Sequence, residues 1–513
     1  MIPAAMAPPR PLVAPDCAPA IPLATLAGSR EGLSELSTLV AHVVSSARNT
    51  ARAAGPLPPG LPQEVLNAAR AILGPAQLPE CGIGSDVALH RLATALTRHG
   101  LDLSHPHAAA HLQPPPLAVA VAADALASAG NASLDTYDSG PATLAVESWV
   151  IEVLIRMAGM ASGAGGVLTP GGSMSNLLAL LLARDHAAGR RGVDARRDGI
   201  AALPRPVVLV SAAAHFSVQR ACAALGLGEA AVRAVALDHR YRMRADALAA
   251  QLGEIDGSST PVAVVATAGT TDFGSVDPLP QIAEVTAEHG VWLHVDAAYG
   301  FGALFSDRMA PLLAGLGAAD SVTLDLHKIG WQPAAASAVL VSDPARFAPL
   351  ERQVAYLNPA DDTVAGYDGL LGRSLQTTRR ADAVKIAATL LSHGRDGLGL
   401  MVDACHDLAR HAQRRIDSEP ALDLVSPAEL STVVFRYRGS RPGGDGPLNA
   451  ALRRRLLRSG RALVGRTEVR LDGPAAPPSV CLKLTLLNPT ARSQDIDTLL
   501  DAVLAAGHEE ETA

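Results

Sequence analysis

Lysine is nearly absent from this 513-residue chain, in which arginine supplies all but three of the 43 Lys and Arg residues. The three lysines are Lys328, Lys385 and Lys483. Because a guanidinium group cannot act as the nucleophile toward a carbonyl group, we expect the remaining lysines to be enriched at positions that need a primary amine. Aromatic residues are also scarce, at 3%, so the 48% of hydrophobic residues are mainly Ala, Leu and Val, as in a folded protein with a large core.

Other absences narrow the function classes. The net charge is −7 with both signs interspersed, so neither a basic surface for nucleic acid nor a polybasic membrane segment is predicted. No apolar run is long enough to span a bilayer. The five cysteines form no CxxC pair or Cys/His cluster, which argues against disulfides and structural zinc, and predicts a reducing cytoplasm and no metal site. The composition therefore favours an enzyme or binding protein that acts on small molecules.

The first part of the chain, residues 1–104, has a helical pattern. Residues 1–22 lack the charged start and long apolar core of a signal peptide, and we interpret them as a mobile tail or an arm that packs on a partner. Amphipathic helices are predicted near 33–53, 61–73 and 86–99. We therefore expect an N-terminal helical segment.

The pattern changes to alternating strands and helices in residues 105–385. Continuous Val, Ile and Leu runs with helical connections indicate an α/β domain whose mostly parallel sheet is buried on both faces. The predicted strands are 206–212, 231–237, 261–269, 291–299, 321–326 and 337–343. After a helical stretch at 378–416, residues 386–513 predict a small C-terminal α+β domain, with strands near 430–438 and 479–487 and a last helix near 494–506.

Lys328 directly follows the apolar run of SVTLDLHKIGWQP, residues 321–333. The carboxyl ends of parallel strands present ligand-facing groups at one edge of a sheet. A lysine chosen at random would be an exposed charge, but the scarcity of lysine favours a Schiff base with an aldehyde cofactor here.

A pyridoxal phosphate cofactor would make two further demands. Its ring nitrogen must stay protonated, and Asp296 in VWLHVDAAYGF is the candidate carboxylate, although a strand-end aspartate is also a common turn cap. Its phosphate needs a cup, and in TPGGSMSN a Gly-rich turn opens into a helix, with Gly172 and Ser173 at its start. Gly and Ser are also ordinary N-cap residues, so this motif alone is weak.

Two more strand ends carry polar residues. His215 in AAAHFSV opens a helix, where its ring can stack on a cofactor, although a lone histidine is more often structural or exposed. Thr270 and Thr271 in ATAGTTDFGSVDPL lie in a loop where their hydroxyl groups can reach a cofactor, or can be ordinary turn residues. The joint occurrence of these motifs is therefore more informative than any one of them.

In this order the motifs GGSMSN, AHFSV, AGTTDFGSVDP, HVDAAYG and DLHK resemble the pyridoxal-phosphate-dependent group II amino acid decarboxylases. The resemblance runs from SHPHAAAHLQPPP to HGRDGLGL, well over half of the chain. It implies a fold-type I large domain, pyridoxal 5'-phosphate as cofactor, and conversion of an L-amino acid to its amine and CO₂. It also implies a homodimer with the active site at the subunit interface.

The resemblance implies a role for each matched residue. Lys328 would hold the cofactor aldehyde, Asp296 would pair with the pyridine nitrogen, and His215 would stack on the ring. The other implied cofactor contacts are Gly172 and Ser173 at the phosphate, the loop residue Thr271, Ala298 on the opposite ring face, Asp325, and His327 near the phosphate or the Schiff base.

Tyr356 bears on the reaction type. It precedes the polar, Gly- and Asp-rich stretch 357–371, which predicts a mobile loop. In the family this tyrosine helps to return a proton after CO₂ leaves, whereas members that form aldehydes oxidatively often have phenylalanine. Tyrosine therefore favours simple decarboxylation, unless Tyr356 merely anchors the loop.

Departures from the common motifs indicate the branch of the family. Met174 replaces the glutamate of GGSESN, Asp325 stands where many relatives have asparagine, and HKIGWQP is similar to the HKxxFQP form of the diaminobutyrate and lysine decarboxylases. Candidate substrate contacts are His111, Leu112 and Trp331. We expect an aliphatic or basic substrate such as L-2,4-diaminobutyrate or lysine.

Alternatives remain open at this point. The protein could decarboxylate aromatic amino acids, couple decarboxylation to oxidative deamination, or belong to other fold-type I enzymes such as aminotransferases and desulfurases. A different class is a pyridoxal-phosphate-binding protein that has lost turnover and has a partner-binding role, which the departures at Asp325, Met174 and Gly330 keep open.

Overall fold

The computed structural model describes residues 26–80, 82–440, 445–471 and 477–512. The predicted tail at 1–22 lies outside the described residues. The described chain forms two compact units, one made of residues 26–52 and 61–100 and the other of residues 53–60 and 101 onward. In the part of the chain that the structure covers, no helix has the length and apolar character needed to cross a membrane.

The first unit consists of the helices that the sequence predicted: α1 (Arg30–Asn49), α2 (Pro62–Leu73) and α3 (Ser85–His99). Helix α1 begins after Ser29, whose hydroxyl oxygen accepts a hydrogen bond from the Gly32 N–H group at 2.9 Å and so caps a free backbone donor. Many apolar side chains of the unit are solvent-exposed. They include Leu33, Val40 and Val44 on α1 and Leu92 and Leu96 on α3.

The second unit contains all the strands of the described residues. They are β1 (Ala108–Ala109), β2 (Gly165–Thr169), β3 (Pro206–Ser211), β4 (Val232–Val235), β5 (Thr260–Thr267), β6 (Trp292–Ala297), β7 (Ser321–Asp325), β8 (Ser337–Val341), β9 (Leu422–Ser426), β10 (Thr432–Tyr437), β11 (Leu463–Val469) and β12 (Ser479–Thr485).

The helices of the second unit lie between these strands and at the C-terminal end. They are α4 (Ala118–Gly130), α5 (Pro141–Ala158), α6 (Gly172–Arg190), α7 (Ala195–Asp198), α8 (Ser217–Ala224), α9 (Ala245–Gly253), α10 (Leu279–His289), α11 (Ala360–Val364), α12 (Ala383–Asp417), α13 (Asp445–Ser459) and α14 (Ser493–Glu511). Helix α12 is interrupted at Gly394, whose φ of 61° breaks the helical path.

Seven strands form the large sheet, in the order β2-β8-β7-β6-β5-β3-β4. Strands β4, β3, β5, β6 and β7 are parallel, and β8 runs antiparallel to both of its neighbours. The central strands β5, β6 and β7 are buried almost throughout because helices cover both faces, as their continuous apolar runs require. The predicted α/β fold with a mostly parallel sheet is confirmed.

The smaller sheet has the order β1-β11-β12-β10-β9 and belongs to the C-terminal region, apart from the short β1. Strands β9 to β12 pair antiparallel, whereas β1 pairs parallel with β11. Leucines of α13 and α14 pack against its apolar face in a separate core cluster. Three of these strands, β1, β9 and β11, were not among the sequence predictions.

A buried ion pair ties α5 to the segment before α12. The Arg379 Nη1 atom donates to the Glu147 carboxylate at 2.7 Å, and Glu147 also accepts from the Leu168 N–H group at 3.2 Å. The side chains of Glu147 and Arg379 are only 1% and 5% exposed. Burial raises the pKa of Glu147, while the guanidinium group opposes that shift. The pair therefore fixes β2 just before the Gly-rich turn.

We expect Arg379→Met to lower the free energy of unfolding by about 3–5 kcal/mol, because it leaves a buried carboxylate without its counter-ion. The double variant Glu147→Gln, Arg379→Met should recover most of this loss, since the amide oxygen can still accept from Leu168 N–H. Urea unfolding of the three proteins measures both effects. Equal losses of unfolding free energy in the single and double variants would contradict a stabilising Glu147–Arg379 ion pair.

Candidate functional site

The candidate site lies at one edge of the large sheet. Strands β2, β3, β5, β6 and β7 run in the same direction, so their carboxyl ends meet there, which is where ligands bind in parallel sheets. The residues that the sequence singled out follow these strands: Gly172 and Ser173 after β2, His215 after β3, Thr270 and Thr271 after β5, Asp296 and Ala298 at the end of β6, and Asp325, His327 and Lys328 at the end of β7.

Asp296 is a buried carboxylate whose orientation is fixed on both oxygens. Its side chain lies in β6 and the residue is 5% exposed. Its Oδ1 atom accepts from the Ala298 N–H group at 3.1 Å, and Oδ2 accepts from Asn176 Nδ2 at 2.8 Å. Because a carboxylate can accept about four hydrogen bonds, Asp296 retains acceptor capacity for a further donor.

Asn176, on α6, joins Asp296 to two other groups. Its Nδ2 atom also donates to Ser217 Oγ at 2.9 Å, and its Oδ1 atom faces Nε2 of His294 at 3.0 Å. Asn176 is 1% exposed, so these contacts replace water for a buried amide.

His294 continues the network into the sheet. Its Nδ1 atom lies 2.9 Å from Ser321 Oγ, which accepts from the Trp292 indole N–H at 2.9 Å. Burial lowers the pKa of His294 to about 4, although the nearby Asp296 carboxylate and the Ser321 hydrogen bond act in the opposite direction. His294 is therefore a neutral imidazole at neutral pH.

His215 stands just before α8. Its Nδ1 atom lies 2.9 Å from Ser217 Oγ and 3.3 Å from Ser217 N. Burial lowers its pKa, with Asp296 and Asp325 raising it and Lys328 and Arg220 lowering it further. These electrostatic contacts place His215 beside the residues at the ends of β6 and β7.

Lys328 and Asp325 form an ion pair at the end of β7. The Lys328 Nζ atom lies 2.8 Å from Asp325 Oδ2, and Ser337 Oγ donates to Asp325 Oδ1 at 2.5 Å. His327 Nε2 is 3.7 Å from the same carboxylate. Asp325 is 3% exposed and the Lys328 side chain 19%, so the amine is accessible while its counter-ion is buried.

The start of α6 lies against Asp325. A Cβ atom at Gly172 would lie 2.9 Å from both Asp325 oxygens, so a side chain there would collide with the carboxylate. The intrahelical hydrogen bonds begin with Met174 N–H, which leaves the N–H groups of Gly172 and Ser173 in the unpaired first turn. Such a turn attracts anions.

The loop after β5 is held by its own residues and by the smaller sheet. Thr270 Oγ1 accepts from Ser275 N–H at 3.1 Å. The Thr271 carbonyl accepts from Lys483 Nζ at 3.1 Å, and Lys483 also pairs with Asp272 at 2.9 Å. Lys483 therefore links β12 to the edge of the large sheet.

The remaining predicted residues differ in their surroundings. Tyr356 is 83% exposed, so it is not enclosed by other residues of this chain. Trp331 is 1% exposed and its indole N–H donates to the Leu487 carbonyl at 2.9 Å, while Leu112 packs on the main core. Partial desolvation and the positive charges of Arg453 and Lys483 lower the pKa of His111.

Sequence reasoning missed Asn176, Ser217 and His294. All three lie inside motifs that were noted for other residues: GGSMSN, AHFSV and HVDAAYG. The available signal was a polar residue two or three positions from a predicted site residue: Asn176 after Ser173, Ser217 after His215 and His294 before Asp296.

Comparison with known proteins identifies relatives that are pyridoxal-dependent decarboxylases. The family described as "Pyridoxal-dependent decarboxylase conserved domain" matches residues 90–438. L-2,4-diaminobutyrate decarboxylase from Rhizobium meliloti (strain 1021) is 43% identical over 85% of this chain and 84% of its own length, and the enzyme of that name from Acinetobacter baumannii is 35% identical over 83% and 84%.

A solved structure resembles the whole fold. The glutamate decarboxylase domain of diaminobutyrate-pyruvate transaminase and L-2,4-diaminobutyrate decarboxylase from Vibrio parahaemolyticus superposes with a TM-score of 0.81. It is 28% identical, and the match covers 94% of this chain and 97% of that one.

We expect the free energy of unfolding to fall by roughly 3 kcal/mol through His294 alone as the pH drops from 6.5 to 4, because the unfolded chain takes up a proton there that the folded chain rejects. His294→Gln retains a donor for Asn176 but cannot titrate. Its unfolding free energy should therefore depend less steeply on pH over this interval. Denaturant titrations of both proteins at several pH values measure the difference, and parallel curves would contradict it.

Proposed function

The chain belongs to the pyridoxal-dependent decarboxylase family, and we propose that it decarboxylates L-2,4-diaminobutyrate to the corresponding diamine and CO₂. The main support for this substrate is the 43% identity to a diaminobutyrate decarboxylase over most of both chains. The predicted family and its diaminobutyrate branch are confirmed. The protein is thus a pyridoxal-phosphate-dependent carboxy-lyase.

The residues at the sheet edge fit pyridoxal 5'-phosphate. Lys328 offers a partly accessible amine, Asp296 has a free acceptor site on an oriented carboxylate, and the first turn of α6 offers the N–H groups of Gly172 and Ser173 to a phosphate. When bound, the cofactor supplies an electron sink for the electron pair that CO₂ leaves behind.

The side chains of this protein have separate tasks in the proposed reaction. The Lys328 amine would hold the cofactor through its aldehyde group. Asp296 would pair with the pyridine nitrogen and favour its protonated form, and Thr271, Ala298 and His327 would be further cofactor contacts. Tyr356 returns a proton to the substrate Cα atom. His111, Leu112 and Trp331 remain the proposed substrate contacts.

We further propose a cytoplasmic homodimer in which the loop after Tyr356 completes the partner's site. The high exposure of Tyr356 supports this arrangement, because a proton donor must reach the reacting carbon. The exposed apolar residues of α1 and α3 are the proposed clasp between subunits. We also retain three regions, 1–104, 105–385 and 386–513, as the domain division.

The variant Lys328→Arg tests whether Lys328 binds the cofactor aldehyde, and it keeps the positive charge at this position. Arginine can still pair with Asp325, but it cannot form the imine, so we expect turnover to fall by at least about 10³-fold. Borohydride reduction of the wild-type holoenzyme should attach the cofactor to the peptide that contains Lys328, as read by mass spectrometry. The variant should show no such mass increase.

The substrate is tested by supplying amino acids singly and measuring CO₂ and amine. L-2,4-diaminobutyrate should give the highest kcat/KM, and the amine should form without oxygen uptake. A higher kcat/KM for lysine or an aromatic amino acid would reject the proposed substrate. Aldehyde with oxygen consumption would instead indicate oxidative deamination.

Leu96→Asp should weaken the proposed dimer, because a charge replaces an apolar side chain that is 72% exposed in the single chain. Light scattering after gel filtration should give the mass of two chains for the wild type and a smaller mass for the variant. Thr38→Asp introduces the same charge at a polar, exposed position of α1 and should leave the dimer intact. A single-chain mass for the wild type would contradict the proposal.

A further inference from the structure

A continuous chain of hydrogen bonds connects the interior of the large sheet with His215. It runs from Trp292 through Ser321, His294, Asn176 and Ser217 to the imidazole ring. Several of these groups can act in only one way, because an indole N–H and a backbone N–H only donate, whereas a carboxylate only accepts. The direction of every hydrogen bond can therefore be deduced.

The amide of Asn176 has one consistent orientation. The Asp296 carboxylate accepts at 2.8 Å, so the Asn176 atom that faces it is the NH₂ group, and Oδ1 faces His294. His294 must then donate through Nε2–H. Its Nδ1 atom accepts from the Ser321 hydroxyl, whose oxygen accepts from the Trp292 indole. This arrangement requires a neutral His294, in agreement with its lowered pKa.

The same reasoning fixes His215. The Ser217 backbone N–H donates to His215 Nδ1 at 3.3 Å, so that nitrogen carries no proton. The Ser217 hydroxyl oxygen accepts one Asn176 hydrogen, and the hydroxyl hydrogen is then free to bond to the same Nδ1 atom at 2.9 Å. A neutral imidazole without a proton on Nδ1 carries it on Nε2.

We propose that Asn176 and Ser217 are positioning residues that hold His215 as the tautomer protonated at Nε2 and, through the same amide, orient the Asp296 carboxylate. One buried side chain thus sets both polar groups that would flank a cofactor ring. The inference deepens the proposed function, on which its catalytic consequence rests.

The consequence concerns which reaction His215 permits. An Nε2–H group can donate to an anionic oxygen such as the substrate carboxylate, but it has no lone pair with which to remove the Cα proton. Transamination requires removal of that proton, whereas loss of CO₂ does not. Control of the tautomer therefore favours decarboxylation at a site whose other groups would serve either reaction.

The first test reads the tautomer directly. In holoenzyme labelled with ¹⁵N-histidine, long-range ¹H–¹⁵N spectra distinguish protonated from unprotonated ring nitrogens, and a His215→Gln spectrum identifies the His215 signals. We expect Nε2–H for the wild type at neutral pH. In Ser217→Ala the Nδ1 atom keeps the longer backbone N–H contact at 3.3 Å but loses the hydroxyl contact at 2.9 Å. We therefore expect a partial shift toward the Nδ1–H form and a raised pKa of His215, because the neutral ring has lost its shorter hydrogen bond. Ser217→Thr keeps the hydroxyl group and should restore the wild-type pattern.

The second test measures turnover. We expect Ser217→Ala to lower kcat about five- to tenfold, the effect of one lost hydrogen bond, and to raise the ratio of transamination to decarboxylation. Ser211→Ala is the matched control. Ser211 is also a buried serine, but its hydroxyl accepts from the Ala213 N–H group and is not a member of the chain of hydrogen bonds described above.

The outcomes separate this inference from the proposed function. The spectra need no turnover, so Nε2–H at His215 together with its loss in Ser217→Ala supports tautomer control even if diaminobutyrate is not the substrate. An Nδ1–H signal for wild-type His215 would overturn it. Identical spectra and reaction ratios in the wild type and Ser217→Ala would also overturn it.

Discussion

Strands β6 and β7 lie side by side in parallel, with Asp296 opposite Thr323, and the position of the reactive groups follows from that pairing. Lys328 comes five residues after Thr323 and therefore lies beyond the end of β7, above the level of Asp296. A shift of one residue in β6 would turn Asp296 toward the opposite face of the sheet, because successive side chains alternate. The buried apolar residues of both strands oppose such a shift, since each side chain would have to fit the packing of the opposite buried face. The hydrophobic core thus sets the spacing between carboxylate and amine.

All three lysines make buried or half-buried contacts. Lys328 pairs with Asp325, Lys483 with Asp272, and Lys385 with Asp382 at 3.0 Å while donating to the Ala335 carbonyl at 2.9 Å. In each case a compact ammonium group pairs with a carboxylate. A guanidinium group is larger and planar, so it would not fit the same space. Scarcity of lysine therefore indicates enclosed ammonium groups in general. The position of Lys328 at a strand end, and not scarcity alone, distinguishes it from the two structural lysines.

The parts of the fold that the sequence predicted are those with strong local patterns. Continuous apolar runs predicted β3, β5, β6, β7 and β8 to within about two residues at most ends, because burial on both faces leaves little freedom of composition. Strand β2, GGVLT, was missed since two glycines weaken the pattern. The reactive residues could be predicted because chemistry restricts their type. Asn176 and His294 could not be joined from sequence, since they are 118 residues apart and meet only when α6 packs on β6.

Asp325 places a negative charge at the carboxyl-end edge of the large sheet, where an asparagine amide would be neutral. An asparagine at this position could not compensate an ammonium group, whereas the carboxylate stabilises the Lys328 ammonium at 2.8 Å. The same carboxylate lies against the first turn of α6, where the helix dipole favours negative charge. The two positive partners together offset the cost of burying Asp325. An anion that binds at this turn must therefore share the helix terminus with the Asp325 carboxylate, whose two oxygens are also held by Ser337 and Lys328.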